Sequence, residues 1–324
     1  MHRILICTIL MGAFACAGCQ RDLGPNPWDG KAGPRVLVTF PPLYSFVCEV
    51  AGPDAHVVSM LTNQGPHDYE GGEIESRLMA RAELVFMIGL GLDEAIVEKL
   101  SKSSGSKAAI IGLGDAIDEG TLREMEGGHD HGHAHNHAHA GHNHGSLDPH
   151  VWLGIPQAIQ MVTTIAKELG KIDPAHQAGY QERAKAFIAR LQALQSEGKA
   201  MLKEKKERSF VTFHDSLQYF ADSYDLKIAG VIQVDPGVEP SRAQMNQVIE
   251  MCRKNNVRLI AVEPQFSANS AAKSVLDALK QSGMADAAFV EVDPLETCDP
   301  SQLTASFYET KVRQNLTNLA KALK

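Results

Sequence analysis

The sequence has no excess of positive charge and no long run of Lys or Arg. Its 31 Lys and Arg residues are outnumbered by 39 Asp and Glu residues, and the formal net charge at pH 7 is -8 with His neutral. A protein that binds nucleic acid neutralises phosphate groups with a basic surface. The charge balance therefore argues against a nucleic-acid partner.

The first apolar run is too short to cross a membrane comfortably. Ile4–Ala17 follows the short positive start Met1–Arg3, and small residues come after it. A spanning helix needs about 20 apolar residues, whereas a shorter run after a positive start is typical of a secretory signal. We interpret residues 1–18 as a signal peptide that directs the chain across the cytoplasmic membrane.

The signal ends in a pattern that resembles the bacterial lipoprotein processing box. Small residues stand directly before Cys19, although Cys16 occupies the position where the box usually has Leu. We expect Cys19 to be acylated, and two or more acyl chains anchor a protein firmly. An ordinary signal peptide with a chance cysteine is the alternative. Residues 19–33, which contain several Gly and Pro, are expected to form a flexible tether.

Three cysteines remain after Cys19. They are Cys48, Cys252 and Cys298. In an oxidising compartment two of them can pair, and the sequence alone does not choose the pair. We favour a disulfide between Cys252 and Cys298, because both lie in the second half and flank the same strand-rich segment.

Runs of β-branched residues alternate with helical patterns in both halves of the chain. The chain has 324 residues, too many for one small core, so two lobes are expected. The strand candidates are Arg35–Phe40, Val57–Leu61, Leu84–Ile88 and Ala108–Ile111, then Ser209–Phe213, Ile228–Ile232, Leu259–Val262 and Ala288–Val292. This alternation predicts an α/β fold of βαβ units with parallel sheets and helices on both faces.

One long helix is predicted between the two halves. Apolar residues recur close to helical spacing from Tyr180 to Met201. A continuous helix over Pro174–Lys206 would be about 50 Å long, with Gly198 as its weak point. We interpret residues 173–206 as a helix that joins an N-terminal lobe, 34–172, to a C-terminal lobe, 207–324. An ordinary packed surface helix is the alternative.

The sequence is rich in histidine. Eight of its 14 His lie in one tract with Gly, Ala, Asn and Asp between them. The tract, within the segment 126–146, has no apolar residue larger than Ala, so it is expected to be disordered without metal. Because His-rich tracts bind metal, we predict an auxiliary metal-binding loop. Its members are His129, His131, His133, His135, His137, His139, His142 and His144.

Three further histidines stand between an extended segment or turn and a helix. His67 follows the second strand, His150 follows Asp148-Pro149, and His214 ends the strand that opens the second half. In open α/β sheets, ligands bind outside the carboxyl ends of the strands. These three side chains are therefore expected to converge in a cleft between the lobes and to bind a metal, although each alone could be a hydrogen-bonded structural His.

The segments around these histidines resemble a known family. GPHDY around His67, DPHVWL around His150 and FVTFHDSLQYFADSYDL around His214 are similar to the metal-ligand motifs of bacterial solute-binding proteins that serve zinc and manganese ABC transporters. The resemblance runs from about Arg35 to the carboxyl terminus. A His-rich loop between the first two motifs is typical of the zinc-specific members. The resemblance implies two βα lobes joined by one long helix, with the metal in the cleft.

The resemblance leaves the fourth ligand open. In members of the family it is a carboxylate of the second lobe, a Glu beside the first His, or water. Pro66 precedes His67 here, so the neighbouring Glu is absent. Asp293 matches the position of the second-lobe carboxylate and is our first choice, with Glu263 second. A cysteine pair in the second lobe of some zinc members also supports Cys252–Cys298.

Three imidazoles and one oxygen ligand suit four-coordinate Zn²⁺, whereas Mn²⁺ prefers more oxygen. We therefore predict an extracytoplasmic, monomeric, periplasmic or cell-surface zinc-binding component that delivers Zn²⁺ to a membrane permease and has no enzymatic activity. Because the ligands must be neutral His, affinity is expected to fall below about pH 6.5.

Three alternatives remain. One is a manganese- or iron-specific member of the same family, and another is a metal buffer that uses only the His tract. The third is a zinc-dependent hydrolase, because three His and a water also form catalytic sites. Against the hydrolase, the sequence has no His-Glu-x-x-His motif, no Gly-x-Ser-x-Gly motif and no phosphate-binding loop.

Overall fold

The computed structural model describes residues 26–67, 69–125, 147–233, 238–264 and 270–324. The predicted signal peptide, the predicted lipid site Cys19 and the His tract 129–144 lie outside the described residues.

The first lobe is built on a parallel sheet of four strands. These are β1 (Arg35–Val38), β2 (His56–Ser59), β3 (Leu84–Met87) and β4 (Ala109–Gly112), in the order β2-β1-β3-β4. Helices α1 (Pro41–Ala51), α2 (Glu73–Arg81) and α3 (Glu94–Ser104) connect successive strands. The central strands β1 and β3 are almost wholly apolar and buried, as expected for a parallel sheet covered on both faces.

The second lobe repeats this topology. Its strands are β5 (Ser209–His214), β6 (Lys227–Gln233), β7 (Leu259–Val262) and β8 (Ala288–Glu291), all parallel and in the order β6-β5-β7-β8. The connecting helices are α6 (Gln218–Ser223), α7 (Arg242–Asn255) and α8 (Ser270–Gln281). The predicted α/β fold class is confirmed, with two βα lobes and parallel sheets.

Local signals in the sequence explain where several helices begin and end. Helix α1 starts with two prolines, which need no hydrogen-bond acceptor in the first turn. Helix α7 starts with a capping box, in which Ser241 accepts from the backbone of Gln244 and the Gln244 side chain accepts from the backbone of Ser241. It ends at Asn256, which adopts the left-handed conformation with φ 56°.

The two lobes are joined through α4 (Ile155–Ile172) and the long helix α5 (Gln177–Leu202). The 26 residues of α5 span about 39 Å at about 1.5 Å per residue. It is shorter than the predicted helix, because Pro174–His176 form a separate 3-10 turn and the chain leaves the helix after Leu202. The guanidinium group of Arg208 donates to the carbonyl of Leu202, the last residue of the helix, at 2.7 Å.

The C-terminal helix α9 (Phe307–Ala322) packs against the first lobe as well as the second. The ring of Tyr308 contacts that of Phe46 in α1 edge to face, with 4.6 Å between centroids. Its hydroxyl donates to the carbonyl of Trp152 at 2.8 Å, and its backbone amide donates to Ser45. The first lobe, α5 and α9 therefore share one hydrophobic core, while a smaller core lies beneath α7 and α8.

The predicted flexible tether is wrong for residues 26–33. The side chain of Trp28 is only 2% exposed, and its indole nitrogen donates to the carbonyl of His56 at 2.9 Å. Burial of a large aromatic ring removes the freedom that a tether needs, so this segment belongs to the first lobe. Within the described residues, no helix combines the length and apolar character needed to span a membrane.

The predicted disulfide is not formed. Cys48, Cys252 and Cys298 are all free thiols. Cys252 lies in the small core beneath α7, whereas Cys298 follows β8 and packs into the large shared core. The two thiols thus belong to different cores, and burial raises the pKa of each to about 11.

Gly198 is a point of close packing rather than a weak point of α5. A Cβ atom at this position would lie 2.5 Å from the ring of Tyr224 and 2.7 Å from Leu316 in α9. We expect Gly198→Ala to lower the free energy of unfolding by about 1–3 kcal/mol, the usual cost of overpacking. Chemical denaturation measures this change.

The matched control is Gly179→Ala in the same helix. A Cβ atom there would lie 3.0 Å from Nη1 at the end of the Arg183 side chain and would not press on an aromatic ring. Because Ala favours a helix over Gly by about 0.5–1 kcal/mol, we expect this variant to be as stable as the parent or slightly more stable. Equal stability of both variants would contradict the packing at Gly198.

Candidate metal site

The structure brings the three predicted histidines together in the cleft between the lobes. His67 lies between β2 and α2, His150 directly before the 3-10 turn that leads into α4, and His214 at the end of β5. The Nε2 atom of His150 is 3.3 Å from Nε2 of His67 and 3.4 Å from Nε2 of His214. The carboxyl ends of strands from both lobes face this cleft, as the fold predicts.

Glu296 joins these histidines, and the sequence analysis missed it. Its Oε1 atom lies 3.3 Å from Nε2 of His67 and 3.5 Å from Nε2 of His150. The four ligand atoms all lie within 4.8 Å of one another. The signal for it is the second carboxylate of the segment Val292–Thr297, whose first carboxylate, Asp293, is the predicted ligand.

The spacing of the four atoms fits a tetrahedral ion. Zn²⁺ binds imidazole nitrogen at about 2.0–2.1 Å, so neighbouring ligand atoms of a tetrahedral site lie about 3.3–3.4 Å apart. Four of the six distances in the group lie between 3.3 and 3.5 Å. The arrangement therefore requires little movement to hold a four-coordinate ion.

Asp148 orients His150 for metal binding. Its Oδ1 atom lies 2.7 Å from Nδ1 of His150 and also accepts from the backbone amide of His150 at 3.0 Å. A carboxylate on one imidazole nitrogen fixes the ring and leaves the other nitrogen to face the metal. Both residues are fully buried, so solvent does not compete for this contact. Asp148 stands two residues before His150 in the sequence, where nothing marks it as a residue that orients a metal ligand.

Burial and charge set different protonation states within the group. Burial lowers the pKa of His150, but hydrogen bonds to Asp148 and Glu296 outweigh it and raise this pKa to about 10. For His214, burial and the neighbouring His150 cation lower the pKa to about 3. Burial opposes ionisation of Glu296, yet hydrogen bonds to His150 and His67 hold its pKa well below the usual range. The directions of these shifts favour a proton on His150 and a negative charge on Glu296 in the metal-free protein.

Asp293, our first choice for the fourth ligand, lies outside the group that the described residues form. Both of its carboxylate oxygens have other partners. Oδ1 accepts from the backbone amide of Leu295 at 2.8 Å, and Oδ2 accepts from Nζ of Lys311 at 2.9 Å. The direction of the chain in the turn after Asp293 places Glu296, rather than Asp293, beside the histidines.

Glu263, our second choice, is also outside this group. It directly follows β7 and is only 5% exposed. Burial and then the negative charge of Glu296 raise its pKa to about 8. A carboxyl group that is largely protonated near neutral pH is a poorer metal ligand than the ionised Glu296.

Two parallel α/β lobes with a metal-binding group in the cleft between them define a two-lobed metal-binding protein. The comparison with known families gives the same answer. Residues 36–322 match the family model of ZnuA, the periplasmic component A of a zinc-uptake complex, and the chain belongs to this family.

Individual relatives of the chain are named as zinc uptake or zinc-binding proteins. The chain is 32% identical over 306 residues to the high-affinity zinc uptake system protein ZnuA of Brucella abortus, covering 86% of this chain and 89% of that protein. It is 31% identical over 242 residues to the zinc-binding lipoprotein AdcA of Streptococcus pneumoniae. That match covers 74% of this chain but only 46% of the longer pneumococcal protein.

Solved structures share the fold. A crystal structure of ZnuA is 28% identical and superposes with a TM-score of 0.71, covering 90% of this chain and 100% of the other. A zinc-bound ZnuA that lacks residues 138–173 of its own chain has the same identity and TM-score, with 90% and 98% covered. FpvC of Pseudomonas aeruginosa in complex with Ni²⁺ has a TM-score of 0.73 at 24% identity, with 90% and 97% covered, which shows the fold alone.

The contact between Asp148 and His150 leads to a first prediction for this site. Asp148→Ala removes the carboxylate that fixes the imidazole, and we expect zinc affinity to fall by about 10–100-fold. Asp148→Asn keeps an oxygen acceptor and should lose less. Competition with a chelator of known affinity measures both, with Asp222→Asn on the exposed face of α6 as the control. Unchanged affinity in Asp148→Ala would contradict the assigned contact.

The proton on His150 predicts how binding depends on pH. Zn²⁺ needs a neutral imidazole, so binding must displace this proton at any pH below about 10. We expect release of about one proton per ion near neutral pH, and an affinity that rises about tenfold per pH unit between about pH 7 and pH 8.5. Calorimetry in buffers of different ionisation enthalpy counts the protons. Release of none would show that His150 is already neutral.

Proposed function

We propose that this chain is the extracytoplasmic component of an ABC transporter that captures Zn²⁺ and delivers it to the membrane permease. The observation that carries the proposal is the convergence of His67, His150, His214 and Glu296, which come from both lobes and place their ligand atoms within 4.8 Å of one another. Membership of the ZnuA family and the names of the relatives support the same activity.

The composition of the group favours zinc over manganese. Three nitrogen ligands and one oxygen ligand suit the tetrahedral preference of Zn²⁺, while Mn²⁺ is better served by sites richer in oxygen. Glu296 supplies a fourth protein ligand, so a four-coordinate ion has no position left for a reactive water. This disfavours the zinc hydrolase, whose chemistry needs that water.

The positions of the ligands indicate a route for uptake and release. The side chain of His67 is 21% exposed, while those of His150 and Glu296 are at most 8% exposed. We infer that the ion enters past His67 and is then enclosed. His67 and His150 belong to the first lobe, and His214 belongs to the second. Separation of the lobes at the permease would remove His214 from the ion and lower the affinity.

The proposal includes the location of the protein. We propose that residues 1–18 direct secretion and that acylated Cys19 anchors the chain, which fits the family description as periplasmic and the pneumococcal relative named a lipoprotein. We further propose that the His tract 129–144 collects metal near the cleft, and that the protein acts as a monomer.

The central experiment is a zinc titration of the chain from Gln20 onward without residues 126–145. After removal of metal, we expect one tight zinc site and weaker manganese binding by calorimetry. His67→Ala, His150→Ala, His214→Ala and Glu296→Ala should each weaken zinc binding by more than about 100-fold, because each removes a ligand rather than an outer contact.

The control is His176→Ala, because His176 is exposed and contacts Asp173 and Asp54 away from the cleft. It should bind zinc as the parent does. A truncated protein without a tight site would overturn the proposal in favour of a metal buffer that uses the His tract. A site that survives loss of Glu296 but not of the histidines would leave capture intact and remove Glu296 from the ligand set.

A further inference from the structure

The residues that present Glu296 to the histidines form a strained turn. We name residues 293–296, Asp-Pro-Leu-Glu, the carboxylate turn. Leu295 adopts φ 66°, in the left-handed region that residues other than Gly rarely occupy, and its side chain is completely buried. Such a conformation persists only where the surroundings hold it, and it often lies beside a functional residue. Here the next residue is Glu296.

The side chain of Asp293 stabilises the carboxylate turn by a hydrogen bond to the backbone of that turn. Its Oδ1 atom accepts the backbone amide of Leu295 at 2.8 Å, two residues further on. This contact is the Asx turn, in which a side-chain carboxylate fixes the direction of the following backbone. Lys311 of α9 holds the other oxygen at 2.9 Å and supplies the opposite charge to this buried carboxylate.

Asn315, one turn further along α9, holds the backbone of Asp293 on both sides. Its Oδ1 atom accepts the amide of Asp293 at 2.9 Å, and its Nδ2 atom donates to the carbonyl of Asp293 at 2.7 Å. Asn315 is itself only 2% exposed. The orientation of the Asp293 side chain is therefore set by a helix that packs against both lobes.

Trp152 contacts both the carboxylate turn and His150. Its indole nitrogen donates to the carbonyl of Pro294 at 2.8 Å. The same ring packs against the imidazole of His150, with 5.2 Å between the ring centroids. The turn that carries Glu296 and the segment that carries His150 are thus connected directly across the cleft.

We propose that Asp293 is a positioning residue for metal binding. It does not bind the ion but acts through the amide of Leu295, so that Glu296 faces the three histidines before the ion arrives. Lys311 takes part by occupying the second oxygen of Asp293, and the site therefore offers one carboxylate instead of two. This inference rests on the proposed zinc-binding function of the site.

The test compares two substitutions that remove the charge of Asp293. Asp293→Asn keeps an oxygen that accepts the amide of Leu295, and Lys311, whose side chain is 25% exposed, can turn toward solvent. Asp293→Ala removes the acceptor. We expect Asp293→Asn to bind zinc within about threefold of the parent. Asp293→Ala should bind about 10–100-fold more weakly, which is the usual loss of metal affinity when a residue that supports a ligand is removed.

The Co²⁺ spectrum and the melting temperature are measured beside the zinc affinity. The visible spectrum of bound Co²⁺ reports the ligand geometry, and it should change in Asp293→Ala and be restored in Asp293→Asn. The matched control is Asp299→Ala, because Asp299 accepts the amide of Ser301 at 2.8 Å in the same kind of turn but on the surface. This control should leave both the affinity and the spectrum unchanged.

Each outcome decides the inference. Equal losses in Asp293→Asn and Asp293→Ala would make Asp293 a ligand and overturn it. A lower melting temperature in Asp293→Ala with unchanged zinc affinity and Co²⁺ spectrum would make its role merely structural. A parent protein that binds no zinc would instead defeat the proposed function.

A separate variant covers the case in which Asp293→Ala does not fold. Asp293→Ser is then measured, because a hydroxyl group accepts the same backbone amide in a similar turn but is a poor zinc ligand. Retained binding in both Asp293→Ser and Asp293→Asn, within about tenfold of the parent, supports positioning. A larger loss in both overturns it.

Discussion

The burial of His150 between two carboxylates is the constraint on which the site depends. The ring is completely buried, with Asp148 on Nδ1 and Glu296 near Nε2. A buried imidazole needs partners for both nitrogens, because an unpaired polar group in the interior is costly. One partner comes from its own segment and the other from the opposite lobe, so this requirement favours the closed arrangement of the two lobes even without metal.

Much of the fold and three of the four candidate metal ligands could be predicted from the sequence. Parallel strands leave periodic apolar patterns, and β7 begins and ends where its pattern predicts. The three histidines share a recognisable setting between an extended segment or turn and a helix. Their convergence is a property of parallel sheets, whose carboxyl ends face one edge. The long helix was predicted too, but its ends depend on local turns that apolar spacing does not record.

The remaining features depend on contacts between distant residues. The choice between Asp293 and Glu296 is decided by the positive φ of Leu295, and a Leu in a sequence gives no sign of such a conformation. The disulfide prediction failed because sequence distance does not show that Cys252 and Cys298 lie in different cores. Trp28 likewise appeared to belong to a Gly- and Pro-rich tether, although its ring is anchored at the start of β2.

The packing of α9 has a consequence for how the protein is made. Tyr308 and its neighbours complete the core between α1 and α5, although they come from the last residues of the chain. Contacts such as that between Tyr308 and Ser45, which are 263 residues apart, carry a cost in loop-closure entropy and form late. The first lobe therefore cannot finish its core while the chain is still being synthesised.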